Sequence, residues 1–492
     1  MARLKIKPIF FIAVIVAVIA GELVWISFSS GFSFFKKKTI GEYAQEVLKN
    51  CSQANYRPTC YDEQIPKLMD FISIEDAFKV TRIVQDNDPS YAYCHVLAHE
   101  LSAREVQKNP LAWKDVVTKC PAGMCSNGCL HGGFQEKFRA ETFTDEQIEK
   151  LKPDLYSLCE KRDSWNPTGL EQASCYHALG HLTMYVTEAD IFKSLEVCDE
   201  TALKKDGRDF RQLCYDGAFM QIFQPLEPED FALVEGKEVK KEELEKFCSQ
   251  FSGHEKASCQ SEGWPLFREE LQKPAELIKY CSKSDPPEIG RCYSAIIYVM
   301  AAQFGLDSDK IYDYCSGLPD PVNGQCFANS ASRMIETDYR NINKAVSLCS
   351  RGSKFDPENQ CFREMLVYSD YNFHRGSNEF SQICNALPLE WKGKCLSGDK
   401  QAGQSVVVLV ENGFSPSYIT IKAGQQVIFR NKSGRPVWPA SDLHPTHELY
   451  SEFDPKKPIS PGEEWSFTFE KTGEWSFHDH LAPYLKGFIK VE

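Results

Sequence analysis

Apolar and polar positions fall into three textures along the chain. The first is an apolar run from Ile9 to Ala20, continued by Leu23, Val24, Trp25, Ile26 and Phe28, behind the basic residues Arg3, Lys5 and Lys7. Glu22 is its only charge, and its 20 residues suffice as a helix for roughly 30 Å of hydrocarbon, whereas a cleavable leader has a core of about 7–15. This pattern predicts a basic cytoplasmic leader over residues 1–8 and a transmembrane anchor or uncleaved signal over 9–30. Cleavage after Ala20 is the alternative, and Lys36, Lys37 and Lys38 leave the flanking charge ambiguous.

The second texture runs from residue 40 to 396. Short amphipathic segments such as AELIKYC, SDKIYDYC, INKAVSLC and FSQIC end on Cys281, Cys315, Cys349 and Cys384, spaced by 34, 34 and 35 residues. A loop rich in Pro, Gly, Asp and Asn follows, then a second cysteine, followed by an aromatic in Cys292-Tyr293, Cys326-Phe327 and Cys361-Phe362. Apolar positions then resume at helical spacing, so each unit reads as helix, stapled loop, helix. The register pairs Cys281 with Cys292, Cys315 with Cys326, Cys349 with Cys361 and Cys384 with Cys395. Read backward, it pairs Cys248 with Cys259, Cys198 with Cys214, Cys159 with Cys175, Cys120 with Cys129 and Cys51 with Cys60, leaving Cys94 for Cys125. Units this short bury no core of their own and rely on stacking, with each staple adding about 2–3 kcal/mol. The period resembles tetratricopeptide or Sel1-like repeats in architecture only. That resemblance implies a curved α-helical solenoid with a concave face for a protein or glycan partner.

In the third texture, beyond a polar linker at 397–404, cysteine disappears and alternation takes over. SVVVLVENGFSPSYITIKAGQQVIFRN reads as strands with turns at Asn412-Gly413 and Ala423-Gly424, while Trp465, Phe467, Phe469, Trp475 and Phe477 sit at period-two positions. Residues 405–492 are therefore expected to form a small antiparallel β-sandwich.

Composition supplies the compartment. Twenty cysteines exceed what a cytosolic chain of 492 residues carries unless it is metal-rich, and their local pairing favours disulfides. The bulk of the chain is thus expected outside the cytoplasm, on a single-pass anchor in the cell membrane. A net charge of −13 argues against nucleic acid as a partner.

Nine of the 11 histidines fall in two groups. Aligning CHVLAHELS, LHGGFQEKF, YHALGHLTM and YDGAFMQIF puts His95, His131, His177 and Asp216 in one column and His99, Gln135, His181 and Met220 in the column four residues on. A His-x-x-x-His pair places both imidazoles on one helix face, suited to one metal ion. His95, His99, His131, His177 and His181 form a candidate second site, with Glu100 as a ligand or general base. Structural packing of these rings is the competing reading. Glu136 is a further candidate, and zinc at Cys120, Cys125, Cys129 and His131 competes with their oxidation.

The second group comprises His444 and His447 in DLHPTHE and His478 and His480 in FHDH. Here GFSPSYITIKAGQQVIFRN and GEWSFHDHLAPYLKGFIKV resemble the first strands and metal-loop hairpin of a cupredoxin, over the whole C-terminal domain. Laid on that pattern, Asp479 stands where the blue-copper Cys belongs, Ala482 near the His, Leu485 near the Met and Trp438 near the earlier His. The blue-copper ligands are therefore lost. WSFHDH also resembles the His-x-His strand of multicopper oxidases, whose paired histidines bind non-blue copper. That resemblance implies a metal site at His444, His447, His478 and His480 with Asp479, although strand alternation turns Asp479 to the other face. Imidazole and carboxylate suit copper, zinc or iron, and the affinity order favours copper. The expected function is a membrane-anchored, extracytoplasmic copper-binding protein. The alternatives are a solenoid scaffold capped by a degenerate sandwich, and a metal-dependent oxidase or hydrolase using the helical histidines.

Overall fold

The computed structural model describes residues 38–397 and 405–491, except 122–123, 140–142, 206–207, 286–287, 358, 411–412 and 416–417. The expected anchor at 9–30 and the linker from residue 398 lie outside the described residues. Among the described residues no helix is long and apolar enough to cross a membrane.

From Ile40 to Ser397 the described elements are α-helices and short 3-10 turns. Their amphipathic spacing is visible in helix Ile342–Gly352, which buries Ile342, Ala345, Leu348 and Cys349 on one face. Thr39, Thr144 and Thr168 open their helices through capping boxes with Glu42, Gln147 and Glu171. The cysteine pairs read from the repeat register are all bonded. Nine close loops of 9 to 16 residues, and Cys94–Cys125 closes one of 31. No cysteine among the described residues is free, which removes the zinc alternative at Cys120, Cys125 and Cys129.

The array curls far enough for distant units to meet across its inner face. Arg82 Nη1 donates to Asp338 Oδ2 at 2.7 Å, the Tyr93 hydroxyl donates to the Ala302 carbonyl at 3.0 Å, and His374 Nε2 lies 2.9 Å from the Asn166 carbonyl. Units far apart in the chain are therefore in contact, as the small rotation added by each repeat of a solenoid allows.

The C-terminal strands are β1 (Ser405–Val410), β2 (Gly413–Ser415), β3 (Tyr418–Ile421), β4 (Gln425–Asn431), β5 (Pro439–Ser441), β6 (Glu464–Phe469), β7 (Gly473–Asp479) and β8 (Ala482–Val491). They form two four-stranded sheets, ordered β2-β1-β4-β6 and β3-β8-β7-β5. The sandwich is mixed rather than purely antiparallel: β1 runs parallel to β4, and β3 parallel to β8. After β2 the chain crosses to the second sheet as β3, then returns, so β4 enters beside β1 in the same direction. Val407, Leu409, Val427, Phe429, Phe453, Phe469, Phe477 and Ile489 fill the space between the sheets.

Candidate metal centres

In the sandwich, β5 pairs antiparallel with β7 and sets Ala440 opposite His478 and Pro439 opposite Asp479. The segment leaving β5 folds over the end of β7 and brings His444 and His447 onto His478 and His480. Ring centroids lie 5.2 Å apart for His444–His478, 4.8 Å for His444–His480, 5.3 Å for His447–His478 and 4.8 Å for His447–His480. Ligand atoms of His444, His478 and His480 lie within 4.8 Å of one another.

Hydrogen-bond partners fix the proton positions. His447 Nδ1 lies 2.6 Å from Asp454 Oδ2, and a carboxylate only accepts, so Nδ1 carries the hydrogen and Nε2 a lone pair. That lone pair accepts from His480 Nδ1 at 2.9 Å, which leaves His480 Nε2 as a second lone pair. His478 Nδ1 donates to Asp442 Oδ1 at 2.7 Å, and its Nε2 is buried with no partner among the described residues. Two unprotonated nitrogens, on His478 and His480, thus lie beside exposed His444. Asp442 and Asp454 each accept from an imidazole Nδ1, the arrangement in which an outer carboxylate fixes the orientation of a ring. Burial opposes charge on Asp442, but hydrogen bonds from His478 and Ser476 and the Lys486 ammonium outweigh it and hold its pKa down to about 2. Asp454 is likewise held low against burial, by Lys456, Trp438 and His447. Burial, with the neighbouring imidazoles, lowers the pKa of His480.

Asp479 does not join this group. Fully buried, it pairs with Arg435 Nη1 at 2.6 Å and accepts from the Trp438 and Leu481 amides at 2.9 and 3.1 Å. The alternation of β7 sends it to the opposite face, so the carboxylate pins the turn instead of supplying a ligand. Trp438 lays its ring 4.5 Å from that of His480 and donates Nε1 to Asp454.

The five helical histidines also converge. His95 and His99 lie on helix His95–Lys108, His131 on Gly128–Phe138, and His177 and His181 on Gly169–Val186. The His131 ring sits 5.2 to 5.4 Å from the other four. Glycines permit this approach: a Cβ on Gly132 would overlap the His99 backbone, and one on Gly217 the His177 carbonyl. Burial holds the pKa values of His95 and His131 well below the ordinary imidazole value and that of His177 down to about 3. Two proposed companions are elsewhere. Glu100 is half-exposed and ion-paired to Arg104, and Glu136 accepts from Gln107 and pairs with Arg139. In the fourth repeat Asp216 pairs with Arg291 instead, while Met220 Sδ lies 3.3 Å from His177 Nε2.

Sequence reasoning missed Asp442, Asp454, Glu227 and Gln221, the oxygen partners that aim the imidazoles. Asp442 stands two residues before His444 and was legible as a neighbour. The others lie 7, 128 and 40 residues from the rings they orient, beyond any local pattern.

No family model matches the chain, and no curated protein matches it. Among solved structures it is similar to a purple cupredoxin from Nitrosopumilus maritimus, with 18% identity over 18% of this chain and 99% of that one, at a TM-score of 0.16. A reduced amicyanin mutant matches at 20% identity over 18% of this chain and 83% of its own, at a TM-score of 0.17. A Cu-containing nitrite reductase from Thermus scotoductus matches at 25% identity over 18% of this chain and 22% of its own, at a TM-score of 0.15. At these scores the donor geometry alone carries the chemistry, and no tetratricopeptide or Sel1-like family model matches the helical array.

Proposed function

We propose that this chain is a membrane-anchored, extracytoplasmic copper-binding protein whose ion is held by His444, His478 and His480, with His447 orienting His480. The observation that carries this reading is the buried, partnerless Nε2 of His478 beside a second free imidazole nitrogen, both backed by carboxylate-anchored rings. Burying a polar atom without a partner is costly, and a cation offsets that cost. An imidazole-only set suits Cu(II), and the absence of cysteine after Cys395 removes the thiolate a blue site requires. His444, exposed at the rim, leaves an approach to the ion. The ten disulfides support an oxidising compartment, and residues 9–30 supply the anchor.

The test is Cu(II) uptake by the full chain against His478→Ala/His480→Ala. Loss of one equivalent, with no intense thiolate-to-copper band in the loaded protein, supports the reading. Equal uptake by both proteins refutes it. In this reading the helical array serves as the platform for a protein or glycan partner. An oxidase or hydrolase using Glu100 as base is disfavoured, because Glu100 faces Arg104 and solvent.

A further inference from the structure

The two imidazole pairs of the helical array differ in a way that their spacing does not reveal. His177 Nε2 lies 3.3 Å from His181 Nε2 and also 3.3 Å from Met220 Sδ. His181 Nδ1 donates to Gln221 Oε1 at 2.7 Å, so one hydrogen on His177 Nε2 satisfies the pair with no outside help. The other pair has no such solution. His95 Nδ1 lies 3.2 Å from the Cys125 carbonyl, which only accepts, and His99 Nδ1 lies 3.2 Å from the Glu227 carboxylate, which Arg139 also pairs. Both hydrogens are therefore committed outward. The two Nε2 lone pairs face each other at 3.1 Å.

Lone pairs repel at that separation unless they share a cation. The third imidazole, His131, brings its ligand atom within 4.8 Å of the other two. The covalent frame holds these donors in place: Cys94, immediately before His95, is bonded to Cys125, and Cys129, two residues before His131, is bonded to Cys120. Close crossing at Gly128 and Gly132, where a Cβ would strike the backbones of His95 and His99, locks the two helices together.

We propose that His95, His99 and His131 form a second metal site, independent of the sandwich, that takes a first-row transition-metal ion of imidazole preference, Zn(II) or copper. His177 and His181 wall the site without ligating. Glu227 and the Cys125 carbonyl are positioning groups that keep both Nε2 atoms unprotonated.

The experiment uses the full chain in three forms: unaltered, His95→Gln/His131→Gln, and His478→Gln/His480→Gln. Each is incubated with Zn(II) or Cu(II), freed of loose metal and analysed by elemental mass spectrometry. Retention of one equivalent of either ion by the sandwich variant, and its loss from the helical variant, supports the site. An unaltered chain holding a single equivalent that vanishes only in the helical variant supports this site while refuting the one in the sandwich. Equal metal content in the helical variant and the unaltered chain, or none in the sandwich variant, overturns the inference. A second measurement covers misfolding of the helical variant. The sandwich variant, with its helical array unaltered, should melt about 4 °C higher at a hundredfold excess of the ion over its dissociation constant. An unchanged melting temperature overturns the site.

Discussion

Asp442 and Asp479 are buried carboxylates at the same end of the sandwich, and the structure gives them opposite duties. Asp442 accepts from His478 Nδ1 at 2.7 Å, and its other oxygen lies 3.3 Å from Lys486 Nζ. With its pKa held near 2, its charge is present at any working pH. Asp442→Asn keeps the size and one acceptor oxygen but removes the charge behind the ligating imidazole. Loss of such an outer partner costs about 10- to 100-fold in metal affinity, which is about 1.4–2.7 kcal/mol. Competition for Cu(II) against a chromophoric chelator, on the full chain, measures it. Asp479→Asn is the control: its oxygens go to Arg435 and two backbone amides, so copper affinity should stay within about threefold. Stability should instead fall. Breaking a fully buried pair costs about 3–5 kcal/mol, reduced here to about 2 because the Arg435 side chain is 31% exposed. Equal affinity loss in both variants, or none in Asp442→Asn, would refute the assignment of His478 as a carboxylate-oriented ligand.

Four further outcomes are expected. Gly132→Ala should destabilise by about 1–3 kcal/mol or more and abolish metal uptake at His95, His99 and His131, since the new methyl meets the His99 backbone. Gly393→Ala, in a helix with open space around it, should gain about 0.5–1 kcal/mol, and urea denaturation separates the two. Opening the 31-residue loop with Cys94→Ser/Cys125→Ser should cost about 3.7 kcal/mol, against about 2.6 for the 9-residue loop of Cys51–Cys60. Only the former should also lower metal uptake, because Cys125 carries the carbonyl that orients His95. Burial pushes the Asp62 pKa up to about 6 from 3.8, against the hydrogen bond from Tyr91. Between those values the unfolded chain loses its proton first, so stability falls as pH rises from about 4 to about 6 and levels above. Asp62→Asn should flatten that fall by about 1–2 kcal/mol, discounted for partial exposure, as measured by urea midpoints at pH 4 and pH 7.

The parts of this molecule legible in the sequence are those set by local period. Cysteine spacing revealed the staples, because a short loop between two helices leaves a cysteine one near partner. The remaining pair, Cys94 and Cys125, followed by elimination. Alternation around His478 likewise placed Asp479 on the far face of its strand. The illegible parts depend on crossings between elements. Gly132 and Gly217 read as ordinary helix residues until another backbone is laid against them, and the contact of Arg82 with Asp338 spans 256 residues. The parallel pairing of β1 with β4 was hidden because period two is the same in either direction.

One device recurs in both histidine groups: an Nδ1 tied to an oxygen that only accepts leaves the Nε2 of the same ring bare, at His478 in the sandwich and at His95 and His99 in the helices. Their surroundings differ, and that difference predicts different ions. In the sandwich, two ionised carboxylates, Asp442 and Asp454, stand behind the rings and would balance a doubly charged ion, although Lys486 and Lys456 pair with the same two carboxylates. The helical trio has one carboxylate, Glu227, shared with Arg139, and one neutral carbonyl, and its rings lie among buried helices. A buried site with less negative charge behind it penalises each added unit of positive charge more heavily. The sandwich should therefore favour Cu(II) over Cu(I) more strongly than the helical trio does. If copper fills both sites, reduction should begin in the helices, at the higher potential.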